Sequence, residues 1–246
     1  MRIAIINPNT TAAMTATVVE AARPAARVGT ELVGVTPAHG VPSIETHVDE
    51  VHGAASVLAE VQRLESSDAD VRPDAYVIAC FGDTGVPAAR ETARGPVVGM
   101  TEAALSTAAI VAHRFTVITM PPRTREMTDR VVRSLGLEHR VVVRTVDEPV
   151  SAVESGSMHL FSLFVDEGRR ALADDAAEAI VLGCAGLADL VGPLGDALGA
   201  PVIEGVSAAV ALADGLLAQG LGTSRVSTWA SPVSPTSSAS PEGGAR

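Results

Sequence analysis

The sequence predicts an α/β protein made of two similar lobes, each with a parallel sheet, related by a pseudo-twofold axis and separated by a cleft. Three observations support this prediction. Short apolar runs of strand length alternate with helical stretches, the second half repeats the order of the first, and a cysteine ends the equivalent strand in each half. Alternating strands and helices are typical of parallel βα units, which bind ligands at the carboxyl ends of their strands.

The first half contains three apolar runs that predict buried strands. They cover residues 2–7, 74–80 and 96–99. Helical patterns cover residues 11–22 and 48–64 between these runs. The first two strands end at turn-forming residues, Asn7-Pro8-Asn9-Thr10 and Phe81-Gly82-Asp83.

The second half repeats this order. Residues 114–120 match the first strand, residues 179–184 match the cysteine strand, and residues 201–209 match 96–104. A weaker match pairs 42–46 with 151–155. The spacing supports the alignment, because Cys80 precedes Pro96 by 16 positions (96 − 80) and Cys184 precedes Pro201 by 17 (201 − 184). Because the matching segments occur in the same order in both halves, they indicate an internal duplication.

The duplication defines the expected domains. The first lobe comprises residues 1–98 together with 206–221, and the second comprises residues 99–205. Residues 222–246 are rich in Ser, Pro and Gly and have no apolar period, so they are predicted to be a disordered tail. Ligand sites favour the interface between two such lobes, so the active site is expected in the cleft.

Composition excludes several classes of function. All 18 basic residues are Arg, which excludes a lysine Schiff base, a lysine base and a P-loop lysine. The net charge of −11 argues against a nucleic-acid partner. Neither a membrane-spanning run nor a signal peptide is expected, so a cytoplasmic protein with no membrane partner is predicted. The two cysteines are expected to be free thiols with no metal-site spacing.

Cys80 and Cys184 are the candidate catalytic residues. Each lies where a strand ends in a glycine-containing turn before a helix, a position expected to stabilise a thiolate and lower its pKa. Two thiols on opposite sides of one cleft suit inversion at an acidic carbon, with one removing a proton and the other returning one. Backbone amides at 81–83 and 185–186 are expected to hold the enolate oxygen. The alternative is that each cysteine is an inert, small apolar residue.

Asp83 permits two interpretations. A carboxylate three residues after Cys80 would raise the pKa of that thiol. Alternatively, Asp83 or Thr84 caps the helix that follows at 87–94, and this is the interpretation we favour.

Three motifs resemble the hydantoin racemase family, part of the cofactor-independent aspartate/glutamate racemase superfamily. They are Ile6-Asn7-Pro8-Asn9-Thr10, Ala79-Cys80-Phe81-Gly82-Asp83 and Leu182-Gly183-Cys184-Ala185-Gly186. The resemblance extends from residue 1 to about 220. It implies two-base racemisation of 5-monosubstituted hydantoins or allantoin, a small-molecule substrate, no metal or cofactor, and a homo-oligomer.

The resemblance also implies roles for individual residues. It makes Cys80 and Cys184 catalytic. The sequence departs from the family at Thr84, where a proline is common, and at Glu204, where Asp is expected. These departures put the identity of the substrate in doubt more than the reaction type. The candidate substrate-binding residues are Asn9, Thr10, Phe81, Gly82, Asp83, Thr119, Ala185 and Gly186.

Two other classes of function remain open at this point. An aspartate/glutamate-type amino-acid racemase, or a related dicarboxylate isomerase or decarboxylase, would bind its carboxylate through an Arg such as Arg123 or Arg125. A non-catalytic two-lobed protein that binds a small ligand would explain the duplication equally well. Such a binder needs no reactive cysteine, so thiol chemistry distinguishes it from an enzyme.

Overall fold

The computed structural model describes residues 1–153 and 157–232, and it contains two four-stranded parallel sheets. The strands of the first sheet have the order β2-β1-β3-β4: β1 Arg2–Ile6, β2 Glu31–Val35, β3 Ala75–Ile78 and β4 Val97–Gly99. Those of the second have the order β6-β5-β7-β8: β5 Phe115–Thr119, β6 Val141–Thr145, β7 Ala179–Gly183 and β8 Val202–Glu204. The two orders are equivalent, which confirms the predicted α/β fold of two similar lobes.

Eight α-helices accompany the strands in the described residues. They are α1 Ala12–Ala22, α2 His47–Glu65, α3 Val86–Thr92, α4 Met100–Val111, α5 Arg125–Ser134, α6 Phe161–Asp174, α7 Val191–Leu198 and α8 Gly205–Ala218. Short 3₁₀ helices lie at Arg23–Ala25, Pro122–Thr124, Val150–Val153, Met158–Leu160, Ala185–Leu190 and Ser227–Trp229. Among the described residues, none of the helices combines the length and the apolar character needed to span a membrane.

The central strands form because their sequences are apolar on both faces. Every residue of β3, β5 and β7 is buried, as parallel strands covered by helices on both sides require. Helix α2 begins at a capping box, in which Thr46 accepts the backbone N–H of Asp49 and Asp49 accepts that of Thr46. These elements place the carboxyl ends of β1, β3, β5 and β7 around one site.

Two local features differ from the sequence patterns, and the disorder predicted for residues 222–246 remains a prediction. Strands β2 and β6 are not among the predicted strands, because each is an edge strand with only one fully buried residue. The predicted helix after Cys184 is a 3₁₀ helix over Ala185–Leu190 that leads into α7. Of the predicted tail, residues 233–246 lie outside the described residues, and Arg225 donates hydrogen bonds to the carbonyls of Arg90 and Glu91.

Helices α4 and α8 connect the two halves. Helix α8 packs against β3 and β4 of the first sheet, α4 packs against β7 of the second, and the two helices pack against each other. One apolar cluster therefore includes Ile5 and Val77 of the first sheet and Leu182 of the second, together with Val210 of α8. The lobe boundaries at 98/99 and 205/206 remain a prediction.

Candidate active site

The two cysteines line one cavity. Cys80 lies just beyond the end of β3 and Cys184 follows β7, the equivalent strand of the second sheet. The cavity has a volume of about 40 Å³, which is room for a few water molecules. Its lining comes from both sheets: Asn7, Asn9, Met14, Ile44, Ala79, Cys80, Phe81, Thr119, Met120, Thr124, Val150, Gly183, Cys184 and Ala185.

Four of the eight predicted substrate-binding residues line this cavity, namely Asn9, Phe81, Thr119 and Ala185. The other four do not belong to the lining that the structure describes, and they are Thr10, Gly82, Asp83 and Gly186. Thr10 donates its hydroxyl and its backbone N–H to the carbonyl of Val41. The cavity therefore brings together half of the predicted set, and substrate binding by all eight residues remains a prediction.

The turn after Cys80 uses its amides within the protein. The N–H of Gly82 donates to Thr101 Oγ1 at 2.7 Å, and that of Asp83 donates to the Cys80 carbonyl at 3.1 Å. That the amides at 82 and 83 hold an enolate oxygen stays a prediction. Both groups already have partners, and a hydrogen bond to substrate would have to replace them. On the opposite side, the backbone N–H of Gly186 lowers the pKa of Cys184 against the effect of burial.

The prediction that the two thiols have lowered pKa values is wrong. Burial raises the pKa of Cys80 to about 12, and the nearby charges of Cys184, Asp83 and Glu50 act in the same direction. Burial raises the pKa of Cys184 to about 11, with a further contribution from Glu45. A thiol of pKa about 11 is ionised to about one part in 10⁴ at pH 7. Both sulfurs therefore rest as thiols.

Asp83 acts as a helix cap, although the helix differs from the one predicted. Its carboxylate accepts the N–H of Thr101 at 2.8 Å and that of Glu102 at 3.0 Å, in the first turn of α4. The N-cap residue of α3 is Gly85, so no side chain caps that helix. Burial, together with the adjacent Glu102, raises the pKa of Asp83 to about 7. Thr84 Oγ1 lies 3.4 Å from Cys80 Sγ, and this contact lowers the thiol pKa against the effect of burial.

Neutral polar groups from β1 and β5 complete the lining. Asn7 Nδ2 donates to Asn9 Oδ1 at 2.8 Å, which fixes the turn after β1. Asn9 Nδ2 contacts the Met14 sulfur at 3.4 Å, a weak acceptor that a carbonyl oxygen can replace. Thr119 Oγ1 donates to the Gly183 carbonyl at 3.0 Å, and its oxygen can still accept from an N–H group.

Sequence reasoning missed the segments that cover the cavity. Ile44 follows β2 and Val150 follows β6, so the two come from equivalent places in the two halves. The Val150 N–H donates to Glu45 Oε1 at 3.1 Å, which joins one segment to the other. The weak match between 42–46 and 151–155 is the signal that could have identified them.

The charged residues considered for a carboxylate substrate lie elsewhere. Arg123 and Arg125 are exposed, and Arg125 pairs with Asp129. Within the part of the chain that the structure describes, the cavity lining carries no charged side chain. The same residues contain no group of three or more His, Cys, Asp and Glu side chains placed to hold a metal ion. The lining therefore suits a neutral, polar molecule better than a dicarboxylate.

Two equivalent sheets with a thiol from each in one cavity define a two-lobed α/β protein with a duplicated site. The family model described as Asp/Glu/Hydantoin racemase matches residues 3–213. The chain belongs to this family, and it is an isomerase of the racemase class.

Relatives of named activity match over nearly the whole chain. A hydantoin racemase from Rhizobium meliloti is 43% identical over 94% of this chain and 95% of its own. An allantoin racemase structure from Klebsiella pneumoniae is 44% identical with a TM-score of 0.90, covering 95% of this chain and 94% of that one. An allantoin racemase from Pseudomonas fluorescens is 36% identical with a TM-score of 0.88, covering 94% and 97%.

Proposed function

We propose that the protein racemises 5-monosubstituted hydantoins or allantoin at C5 by a two-base mechanism, with Cys80 and Cys184 as the bases. The observation that carries the proposal is that the two thiols, each at the end of the same strand of its own sheet, line one cavity. The similarity to a hydantoin racemase at 43% identity and to an allantoin racemase at 44% identity supports the substrate class.

Each sulfur performs one of the two proton transfers. One sulfur, as thiolate, takes the proton from C5, and the C–H electron pair moves into the adjacent ring carbonyl to give an enolate. The opposite thiol then donates its proton to the other face of C5. One sulfur gains a proton and the other loses one, so the pair shares a single proton and titrates as a unit.

The neutral lining fits the ring of such a substrate. A hydantoin presents ring carbonyls and N–H groups, which match the Asn9 amide and the Thr119 hydroxyl. The apolar side chains of Ile44, Met120 and Val150 would surround the C5 substituent. Because the ring is larger than a cavity of about 40 Å³, substrate entry requires the cavity to widen.

The test is to follow optical rotation and C5 deuteration together. L-5-alkyl and L-5-arylmethyl hydantoins and S-allantoin are incubated with the enzyme in deuterium oxide, and the C5 proton is followed by NMR. We expect rotation to disappear while deuterium enters C5. A variant with both Cys80→Ser and Cys184→Ser serves as the control for spontaneous exchange. Optical stability of every ring substrate would refute the proposal, and racemisation of aspartate or glutamate instead would support the amino-acid alternative.

A further inference from the structure

Helices α4 and α8 begin at equivalent positions, directly after β4 and β8. The first N–H groups of any helix have no partner within it. In α8 the N-cap residue Glu204 provides the partner, accepting the N–H of Val206 at 2.7 Å and that of Ser207 at 2.6 Å. The bonds that cap α8 therefore stay within the start of that helix.

In α4 the N–H groups at the same two positions, the second and third of the helix, are capped by a residue outside the helix. The N-cap residue is Gly99, and the Asp83 carboxylate accepts the N–H of Thr101 and of Glu102. A Cβ added to Gly99 would lie 2.4 Å from Asp83 Cγ and Oδ1. Asp83 thus occupies the place of a missing N-cap side chain, and it reaches there from the turn that follows Cys80.

A second contact fixes the same turn. Thr101, fully buried in α4, accepts the Gly82 N–H at 2.7 Å and lies 3.5 Å from the Cys80 carbonyl. Asp83 itself is held at a φ of 55°, a conformation that non-glycine residues rarely adopt without support. In the second half, the position of Thr101 is taken by Val206, which has no hydroxyl.

We propose that Asp83 is the positioning residue of the Cys80 thiol. Its carboxylate binds the turn 80–84 to the first turn of α4, and it thereby fixes the direction of the Cys80 sulfur into the cavity. It acts through the backbone, because Asp83 does not belong to the described cavity lining. The Cys184 thiol does not depend on it. The inference rests on the proposed two-cysteine function.

The structure supplies a variant that separates positioning from helix stability. Asp83→Gly combined with Gly99→Asp moves the carboxylate to the N-cap of α4 itself, which copies α8 and leaves the net charge unchanged. The three atoms nearest to a Cβ at residue 99 all belong to Asp83, so removing that side chain makes room for the new one. Gly99 has a φ of −80°, which suits Asp.

The readout isolates each thiol in turn. In a Cys184→Ser background only Cys80 can exchange the C5 proton of a hydantoin with deuterium, and in a Cys80→Ser background only Cys184 can. We expect the double change at 83 and 99 to slow exchange by Cys80 about 10- to 100-fold, as a displaced catalytic group does. Exchange by Cys184 should stay within about twofold. Enantiomerically pure substrates and NMR provide the measurement.

Thermal unfolding separates a structural role from a positioning role. Asp83→Gly alone should lower the Tm by about 2–4 °C through the lost cap, and the added Gly99→Asp should restore it. Glu204→Ala is the matched control, which should lower the Tm similarly and change the two exchange rates equally or leave them unchanged. Asp83→Asn, which keeps one acceptor oxygen, is the second variant and should selectively slow exchange by Cys80 even if the double change fails to fold.

The outcomes distinguish this inference from the function on which it rests. Equal slowing in both backgrounds, or no slowing in either, would overturn the positioning role of Asp83. If the two cysteine backgrounds without further change show no enantiomer-specific exchange, the two-base function itself is wrong, and the positioning role is lost with it. If the double change at 83 and 99 slows only the exchange by Cys80 and restores the Tm, the result supports both the positioning role of Asp83 and the two-base function.

Discussion

The turn after Cys80 and the segment after Cys184 occupy equivalent places and are held in different ways. After Cys80, the chain passes through two consecutive residues with positive φ, Gly82 and Asp83. This turn is fixed to α4 by the Thr101 hydroxyl, which accepts the Gly82 N–H, and by backbone N–H groups of α4, which donate to the Asp83 carboxylate. After Cys184, the chain enters a 3₁₀ helix at once, and Gly186 packs against Val153. The duplication therefore provides two similarly placed thiols whose supports differ, so we expect mutation to affect each thiol separately.

The largest effect should come from the thiols themselves. Cys80→Ser and Cys184→Ser should each lower the rate of racemisation at least about 10³-fold, because a well-placed acid or base contributes about 10²–10⁴ and each inversion needs both. Each variant should still exchange the C5 proton of one enantiomer, and the two variants should prefer opposite enantiomers. Chiral chromatography and deuterium NMR measure the two reactions. Full racemase activity in either variant would defeat the two-base assignment.

The pH profile tests whether both thiols rest in the protonated form. Because burial raises the pKa of both cysteines to about 11 and about 12, the thiolate fraction should rise tenfold per pH unit below that range. We therefore expect kcat/KM to increase about 100-fold from pH 6 to pH 8, after subtraction of spontaneous racemisation. A plateau near pH 7 that persists in Asp83→Asn would show that a thiolate already exists in the free enzyme.

Asp83 titrates within the same pH window, since burial and Glu102 raise its pKa to about 7. The charge of Glu102 on α4 acts on Asp83, and Asp83 in turn acts on Cys80 of its own turn. Arg90 on α3, which pairs with Glu102, lines the same crevice as Asp83, together with Glu50 and Arg130. An inflection near pH 7 that disappears in Asp83→Asn belongs to Asp83. An inflection that persists in Asp83→Asn belongs to another titrating group.

Much of this architecture follows from local sequence. The buried strands are apolar runs, and their repeated order is enough to place Cys80 and Cys184 at equivalent strand ends. The partner of the Gly82 amide could not be predicted in this way. The Gly82 amide bonds to Thr101, 19 residues away, and only the packing of α4 brings the two together. The thiol pKa values depend on burial, which the glycine turns do not reveal.

A substitution at Gly186 should disturb the Cys184 side. A Cβ at this position would lie 2.5 Å from Val153 Cγ2, so Gly186→Ala overpacks a buried contact at a cost of about 1–3 kcal/mol. We expect the Tm to fall by several degrees and exchange by Cys184 to slow about tenfold, with exchange by Cys80 little changed. Gly192→Ala in α7 is the matched control, because its Cβ meets open space. Equal effects on the two exchange reactions would show that the segments are not independent.

The smallest effect should come from the hydroxyl beside Cys80. Thr84 is buried, and its Oγ1 lies 3.4 Å from the sulfur, where a hydroxyl donor favours the thiolate and lowers the pKa of Cys80. Thr84→Val keeps the shape and removes a hydrogen bond worth about 1 kcal/mol, so exchange by Cys80 should slow about fivefold. Thr84→Ser keeps the hydroxyl and should retain most of the rate. If Thr84→Val slows exchange by Cys184 as strongly, the hydroxyl serves the cavity as a whole, and the separate support of the two thiols is refuted.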